Sequence, residues 1–296
     1  MIGVLDIGGT SIKYGVLASS DSSCQFLFHG EKDSDAKVIQ GPGIVKKAAD
    51  IIRELMQRYA IQGIAVSTAG MVDAGTGTVL YANENIPQYT GTRLKEIMVR
   101  EFGLPCWVEN DVNAAALGEY YYGSGRGCSS MLMLTVGTGI GGAVVLQGDI
   151  YRGYSNSAGE VGYMWLDGQH FQDMASTTAL VRRTEERLNE TGLNGRIIFE
   201  RAQQGDIRYQ EEIAVLSDYL AKGISSCVCL LNPQLVVLGG GIMVQRKYLE
   251  PLIKDRMRKY MNPEMFRHTE LAFARLGNKA GMAGAYACYQ KKEGYL

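Results

Sequence analysis

The stretch IGVLDIGGTSIKYGVLA, residues 2–18, decides the fold that this sequence predicts. It holds two runs of strand-forming residues around a glycine pair, which predicts a β-hairpin with Gly8 and Gly9 at its tip. Apolar residues at helical spacing over residues 44–60 and a buried strand over residues 63–67 follow the hairpin. Strand, hairpin, helix and strand in this order predict an α/β lobe in which helices cover a sheet.

A second hairpin of the same kind is predicted over residues 131–146, where the glycine-rich run GTGIGG separates two apolar runs. Two similar hairpins indicate two related lobes. Between them, residues 113–121 predict a helix, and Asp111 stands just before its start. The other predicted elements are helices over about residues 176–189 and 210–231 and a buried strand over residues 235–238.

Length and composition favour a two-lobed globular chain. The sequence has 296 residues, which is long for one compact core. Its 30 Lys and Arg against 31 Asp and Glu leave a formal charge of −1, which argues against nucleic acid as a partner. With 46% hydrophobic and 21% charged residues, disorder is excluded as well.

The sequence also bears on compartment and redox state. No run approaches the roughly 18 uninterrupted apolar residues that a membrane span needs, and the chain opens without a signal-like segment, so we expect a cytoplasmic protein that binds no membrane. The six cysteines are scattered, which favours reduced thiols. Cys227 and Cys229 lack the second ligand pair that a zinc site needs.

Three glycine-rich turns are candidates for phosphate binding, because glycine lets backbone N–H groups approach phosphate oxygens closely. They lie at residues 6–13, 137–142 and 239–241. None has the spacing of a P-loop or of a dinucleotide-binding turn. Together they fit a nucleotide held between two lobes. The Asp6 carboxylate beside the first turn could hold Mg²⁺ through water, since this ion binds through one or two carboxylates plus phosphates.

Five motifs in order give the sequence a strong resemblance to a known family. They are DIGGT at residues 6–10, ENDVN at 109–113, GTGIGG at 137–142, EVGY at 160–163 and LGGG at 238–241. This order resembles the ROK family of sugar kinases and repressors over essentially the whole chain. The resemblance implies an α/β, two-lobed actin-like ATPase (ribonuclease H-like) fold, with MgATP and a hexose in the interlobe cleft. It places residues 1–112, with about 282–296, in a small lobe and residues 113–281 in a large one.

The resemblance also implies roles for individual residues. Asp111 matches the general base, which would accept the proton of a sugar hydroxyl as the γ-phosphoryl group arrives. The alternative from the sequence alone is a helix N-cap. The implied ATP-binding residues are Asp6, Gly8, Gly9, Thr10, Lys13, Gly137, Thr138, Gly139, Gly141, Gly239, Gly240 and Gly241. The implied sugar-binding residues are Gly70, Asn85, Asn110, Glu160, Tyr163 and Gln172.

The sequence departs from the family where most members carry a histidine and three cysteines that bind a structural zinc. Tyr163 stands where that histidine would be, and residues 165–172 contain no cysteine, so we expect no zinc. Gln172 occupies the position of a glutamate that, with the histidine, contacts the sugar around C1 and C2. At both positions the side chain therefore differs chemically from the one that contacts the sugar in most family members. A sugar with an N-acetyl group at C2, or with an aglycone at C1, is therefore favoured over plain glucose.

Three sugar kinases remain open at this point. The stretch STAGMVD at residues 67–73 and the run IPQYTGT at residues 86–92 resemble N-acetylmannosamine kinases more than β-glucoside kinases. N-acetylmannosamine is therefore the predicted substrate, with a β-glucoside or glucose as alternatives. The resemblance also implies a homodimer.

Two readings other than an enzyme follow from the same resemblance. A sugar-sensing repressor would carry a helix-turn-helix domain before the first phosphate turn, and Asp6 leaves no room for one. A structural actin-like ATPase would not need Asn110, Asp111 and Glu160 as a polar set. We therefore predict an enzyme whose partners are ATP and a small-molecule sugar.

Overall fold

The hairpin at the beginning of the chain forms as predicted in the computed structural model, which describes residues 1–18 and 24–296. Its two strands, Ile2–Ile7 and Ser11–Leu17, pair antiparallel along their whole length. The Gly8 N–H donates to the Ser11 carbonyl (2.9 Å) and closes the turn. The second predicted hairpin forms in the same way from Ser130–Val136 and Ile140–Leu146.

Strands and helices are interspersed along the chain, as expected of an α/β fold. The strands are β1 (Ile2–Ile7), β2 (Ser11–Leu17), β3 (Phe26–Asp33), β4 (Gly63–Thr68), β5 (Met71–Asp73), β6 (Thr78–Tyr81), β7 (Cys106–Asn110), β8 (Ser130–Val136), β9 (Ile140–Leu146), β10 (Asp149–Ile150), β11 (Trp165–Leu166), β12 (Gln169–His170), β13 (Leu235–Gly239) and β14 (Glu270–Phe273). The helices are α1 (Ala36–Met56), α2 (Leu94–Phe102), α3 (Asp111–Tyr122), α4 (Phe171–Ala175), α5 (Thr177–Leu188), α6 (Gly195–Gln203), α7 (Ile207–Leu231), α8 (Arg246–Tyr260), α9 (Pro263–His268) and α10 (Ala280–Lys292).

The chain divides into two compact units, each discontinuous in sequence. Unit 1 contains residues 1–126, 148–158 and 278–296, and unit 2 contains residues 127–147 and 159–277. This division differs from the boundary at residue 112 that the sequence suggested. Helix α3 lies in unit 1, where it packs against α10.

Unit 1 is built on a five-stranded sheet in the order β3-β2-β1-β4-β7, in which β1, β4 and β7 run parallel. Side chains alternate between the faces of β1, so Leu5 and Ile7 join the core under α1, whereas Ile2 and Val4 pack with α10. Asp6 continues the row of Ile2 and Val4. The carboxylate at the end of β1 therefore points to the α10 side of the sheet.

The contact between α10 and α3 brings two helix backbones together. A Cβ added at Gly284 of α10 would overlap the carbonyl oxygen of Ala114 in α3. Any side chain at position 284 would force the helices apart. Glycine is therefore required here for packing, although it is a poor helix former.

Unit 2 repeats the same plan with its own sheet, in which β9, β8, β13 and β14 follow one another and β8, β13 and β14 run parallel. Among the described residues, α7 is the one helix long and apolar enough to cross a membrane by length and composition. Its side chains Leu216, Leu220 and Ile224 are fully buried in the core of unit 2. Those contacts identify α7 as a core helix.

Both ends of the first predicted helix differ from the structure. The helix predicted over residues 44–60 is α1, which begins at Ala36 and ends at Met56. Gln40 interrupts it with a left-handed φ of 56°, and Pro42 lies in the first turn after this kink. A proline is tolerated there because the first turn has no intrahelical partner for its N–H.

Candidate active site

Asp6 lies at the carboxyl end of β1, beside the ends of β4 and β2. Its Oδ1 accepts a hydrogen bond from the Ser67 hydroxyl (2.6 Å), and the Lys13 Nζ is 3.8 Å from its Oδ2. The side chain is only 17% exposed. Burial raises the pKa of Asp6, while the Ser67 hydrogen bond and the Lys13 charge oppose that shift. A single carboxylate of this kind is suited to the role predicted for Asp6, in which it holds Mg²⁺ through bound water.

The first turn of α10 lies directly against this carboxylate. A Cβ added at Gly281 would be 2.7 Å from both carboxylate oxygens of Asp6. The glycine therefore leaves just enough room for the Asp6 side chain at a helix N-terminus, where the partial positive charge favours anions. No sequence pattern indicated this approach, because residues 6 and 281 lie at opposite ends of the chain.

Asn110 caps α3, and both the oxygen and the nitrogen of its side-chain amide bind other groups of the protein. Its Oδ1 accepts from the N–H groups of Val112 and Asn113 (3.0 Å each). Its Nδ2 donates to the Gly70 carbonyl and to Asp111 Oδ1, both at 2.8 Å. Asn110, and not Asp111, is thus the N-cap of α3. A sugar hydroxyl would have to share one of these bonds to reach the Asn110 amide.

Asp111 is the first residue of α3 and is held through one oxygen. Its Oδ1 accepts from Asn110 Nδ2 and from the Val112 N–H (2.9 Å). No hydrogen bond from another described residue reaches its Oδ2. Burial, and then the negative charge of Asp6, raise the pKa of Asp111 to about 7. This carboxylate is therefore poised to gain or lose a proton near neutral pH.

The first phosphate turn is fastened by residues that the sequence did not single out. The Ser34 hydroxyl donates to the Gly9 carbonyl (2.7 Å), and the Ser34 N–H donates to the Thr10 carbonyl (2.8 Å). Asn85 lies against the same turn, because a Cβ added at Gly9 would be 3.0 Å from the Asn85 Cβ. The structure thus brings Asn85 together with the predicted phosphate-binding turn.

In unit 2 the two other glycine turns adjoin each other. Gly240 adopts a φ of 109°, and a Cβ there would overlap the carbonyl of Val136, the last residue before the Gly137 turn. The turn at residues 137–142 in turn contacts Gln172, whose Oε1 would be 2.8 Å from a Cβ at Gly139. Only a glycine at position 240 permits the close approach to the Val136 backbone.

A cavity of about 800 Å³ opens beside these turns within unit 2. Its volume falls in the range of small-molecule and cofactor sites. Three of the predicted ATP-binding residues line it: Gly137, Thr138 and Gly241. The sequence missed the wall supplied by α5, α6 and the segments beside them, which includes Thr177, Arg182, Glu185, Asn194, Phe199 and Gln245. Its apolar side chains and dispersed polar groups suit a nucleoside.

Glu160 and Tyr163 flank a short 3-10 turn, and a small hairpin formed by β11 and β12 follows it. Glu160 is exposed, and Tyr163 has 59% of its surface exposed. The Tyr163 ring packs edge-to-face on His170, and the His170 Nδ1 lies 3.0 Å from the Tyr163 carbonyl oxygen. Among residues 1–18 and 24–296, no group of three or more His, Cys, Asp or Glu side chains is arranged to hold a metal ion.

The ROK family profile matches residues 2–292, and the chain belongs to this family. A beta-glucoside kinase of Listeria monocytogenes is 30% identical over 99% of this chain and 98% of its own length. The predicted family is thereby confirmed.

Solved structures agree with this assignment. A Listeria monocytogenes protein described as a proposed N-acetylmannosamine kinase superposes with a TM-score of 0.86, at 27% identity and 99% coverage of both chains. A ROK family glucokinase of Streptomyces griseus, solved with glucose and AMPPNP, has a TM-score of 0.81 at 28% identity, covering 95% of this chain and 96% of its own. The predicted α/β actin-like ATPase fold is confirmed.

The raised pKa of Asp111 has a consequence for stability. Between its ordinary pKa of about 3.8 and its folded value of about 7, the folded protein binds more protons than the unfolded chain. Stability therefore falls as the pH rises through this window. We expect Asp111→Asn to gain roughly 2 kcal/mol or more over the parent at pH 8 and almost nothing at pH 4, measured by urea denaturation.

Asp73→Asn is a control for which the opposite change in stability is expected. Hydrogen bonds from the Thr76 side chain and the Gly75 N–H lower the pKa of Asp73, so its ionised form stabilises the fold. That variant should lose stability at pH 8. Equal effects of Asp111→Asn at pH 4 and pH 8 would contradict the raised pKa.

Proposed function

We propose that this protein transfers the γ-phosphoryl group of ATP to the C6 hydroxyl of N-acetylmannosamine in the cytoplasm. The coarser statement is established: the chain is an ATP-dependent carbohydrate kinase, because its relatives include beta-glucoside kinases and glucokinases that align over nearly the whole chain. The sugar, the transferred position and the roles of single residues are the proposed part.

The observation that carries the proposal is the Asn110–Asp111 turn in unit 1. It presents one carboxylate oxygen, Asp111 Oδ2, that accepts no hydrogen bond from another described residue, on a group whose pKa is about 7. A general base works best when its pKa lies near the operating pH, because it is then both deprotonated and basic enough to take a proton. A simple helix cap needs neither property, and the cap here is Asn110.

In the proposed mechanism Asp111 Oδ2 accepts the proton of the C6 hydroxyl while the hydroxyl oxygen attacks the γ-phosphorus in line. Asn110 holds the other oxygen of Asp111 and so fixes the direction of Oδ2. When bound, Mg²⁺ neutralises phosphate charge. Asp6, steadied by the Ser67 hydroxyl, would hold the magnesium ion through its water shell.

We assign the adenosine of the nucleotide to unit 2 and its phosphates to the first glycine turn of unit 1. In unit 2 the cavity beside Gly137, Thr138 and Gly241 would take the adenosine. In unit 1 the backbone of Gly8, Gly9 and Thr10, fastened by Ser34, would contact the phosphates together with Lys13. Glycine turns can do this because no Cβ shields their N–H groups.

The choice of sugar rests on Tyr163 and Gln172. An exposed phenol and a neutral amide replace a histidine and a glutamate of the family pattern, which removes charged partners for the hydroxyls of glucose at C1 and C2. A pocket without those partners loses less when C2 carries an N-acetyl group. The similarity to a proposed N-acetylmannosamine kinase supports this choice, and that to a beta-glucoside kinase supports the alternative of an aglycone at C1. A homodimer remains a prediction from the family resemblance.

The test is a comparison of kcat/KM with MgATP and N-acetylmannosamine, N-acetylglucosamine, glucose or cellobiose, followed by ADP release. We expect N-acetylmannosamine to exceed glucose by about tenfold or more, since one pocket contact is worth roughly 1–3 kcal/mol. NMR of the product should place the phosphate on O6. A preference for cellobiose would overturn the choice of sugar and assign Tyr163 and Gln172 to the C1 side.

The role of Asp111 is tested by Asp111→Ala. We expect kcat to fall at least about 100-fold, because proton acceptance by a placed carboxylate contributes about 10²- to 10⁴-fold. Sugar binding, measured by calorimetry, should change little. Near-normal turnover would remove Asp111 from this role.

A pH profile tests the same carboxylate independently. Protonated Asp111 cannot accept a proton, so kcat/KM for the sugar should fall about tenfold per pH unit below pH 7. The residual activity of Asp111→Asn should lack this acidic limb. A parent profile that stays flat from pH 5.5 to 8 would contradict the proposed base.

A further inference from the structure

Behind the Asn110–Asp111 turn lies a third carboxylate, that of Glu109, which the mechanism does not use. Glu109 is the next-to-last residue of β7 and is completely buried. Its Oε1 accepts from the Asn110 N–H (3.0 Å) and from the Asn113 Nδ2 (3.1 Å). A single oxygen thus holds the backbone at the end of β7 and a side chain in the first turn of α3.

Arg152 supplies the counter-charge from a distant part of unit 1. Its Nη2 donates to the second Glu109 oxygen, Oε2, and its Nη1 donates to the Ile150 carbonyl (3.3 Å). The arginine lies two residues after the end of β10, and its side chain is 26% exposed. Its own carbonyl accepts from the Ala158 N–H (3.1 Å), which closes the loop of residues 152–158. Both Glu109 oxygens are therefore occupied by protein donors.

An ion pair with one fully buried partner contributes little net stability, yet removing one of its members is strongly destabilising. Moving two charges out of water costs about as much as their attraction returns, whereas removing one partner strands the other without solvation. Paired carboxylates and guanidinium groups also have strongly directional geometry. A pair that contributes little net stability, yet fixes atoms beside a reacting carboxylate, is well suited to set a position.

We propose that Glu109 and Arg152 are positioning residues for Asp111. The pair fixes the Asn110 backbone and the first turn of α3, and Asn110 in turn fixes Asp111 Oδ1. The ion pair between Arg152 and Glu109 thereby sets the direction in which Oδ2 points toward a sugar hydroxyl. This inference rests on the proposed function, in which Asp111 Oδ2 is the proton acceptor.

The test is a double-mutant cycle with Arg152→Met, Glu109→Gln and the double variant. Each single change should lower kcat at least about tenfold, because small displacements of a reacting group have large effects on turnover. The KM for MgATP should stay within about threefold, since neither residue belongs to the predicted nucleotide site. The double variant should lose less than the product of the two single losses, because it strands no charge.

Unit 2 offers a matched control pair. Glu212 has a side chain only 2% exposed and is bound by Arg183 and Arg187. The same changes there, Arg183→Met and Glu212→Gln, should lower Tm to a similar extent without a change in kcat. Arg152→Lys keeps the charge but not the forked geometry, and we expect it to recover part of the kcat that Arg152→Met loses.

Two results would overturn the inference. One is a wild-type kcat in Arg152→Met at a temperature where its Tm shows it folded; the other is a loss in the double variant that equals the product of the single losses. Failure of the proposed function is distinguishable, because it would show as absent sugar phosphorylation in the parent protein. If the parent is active and Asp111→Ala is inactive, a wild-type kcat in Arg152→Met would contradict only the positioning role and would leave the proposed function standing.

Discussion

The Asn110 amide is the contact on which the rest of the site depends. Its oxygen begins α3 by accepting two backbone N–H groups, and its nitrogen holds the Gly70 carbonyl and Asp111. One side chain thereby joins the end of β7, the turn after β4 and the start of a helix. Because all four of its bonds are made within unit 1, the position of Asp111 is set by the fold before any ligand binds.

Close backbone approach is the second constraint. Gly284 lets α10 lie against α3, and Gly281 then brings the first turn of α10 to Asp6. The carboxylates of Asp111, on α3, and Asp6, which faces α10, therefore lie beside two helices that are packed together. Their proximity is visible in the pKa of Asp111, which the Asp6 charge helps to raise. The packing of small residues thus acts directly on the chemistry.

Local patterns in the sequence were sufficient for much of this architecture. Both hairpins were predicted from strand-forming runs on either side of glycines, and the strand at residues 235–238 was predicted from a continuous apolar run. Helix α5 was bounded correctly by Ser176 and Asn189. The kink at Gln40 was missed because it requires a left-handed non-glycine residue. The pattern placed Asp111 just before α3, whereas Asn110 is the N-cap and Asp111 is the first residue of the helix. Asn and Asp are both favoured at N-caps, so the pattern alone does not choose between neighbouring residues of these types.

Contacts between distant segments had no such signal. Ser34 reaches the first phosphate turn from the end of β3, Arg152 reaches Glu109 across 43 positions, and Arg182 and Asn194 reach the unit 2 cavity from helices without a recognisable motif. Each of these residues is an ordinary polar residue in its local sequence. Only the assembled sheets and helices place them near the site.

The late position of α10 in the chain bears on how the protein is made. Ile2 and Val4 on β1, with Ala65 on β4, form an apolar surface whose cover, including Tyr286, comes from residues 278–296. Translation at about 5–20 residues per second needs about 8–30 s to add residues 127–277. For that time the nascent chain presents an apolar sheet face that its own last helix has yet to cover.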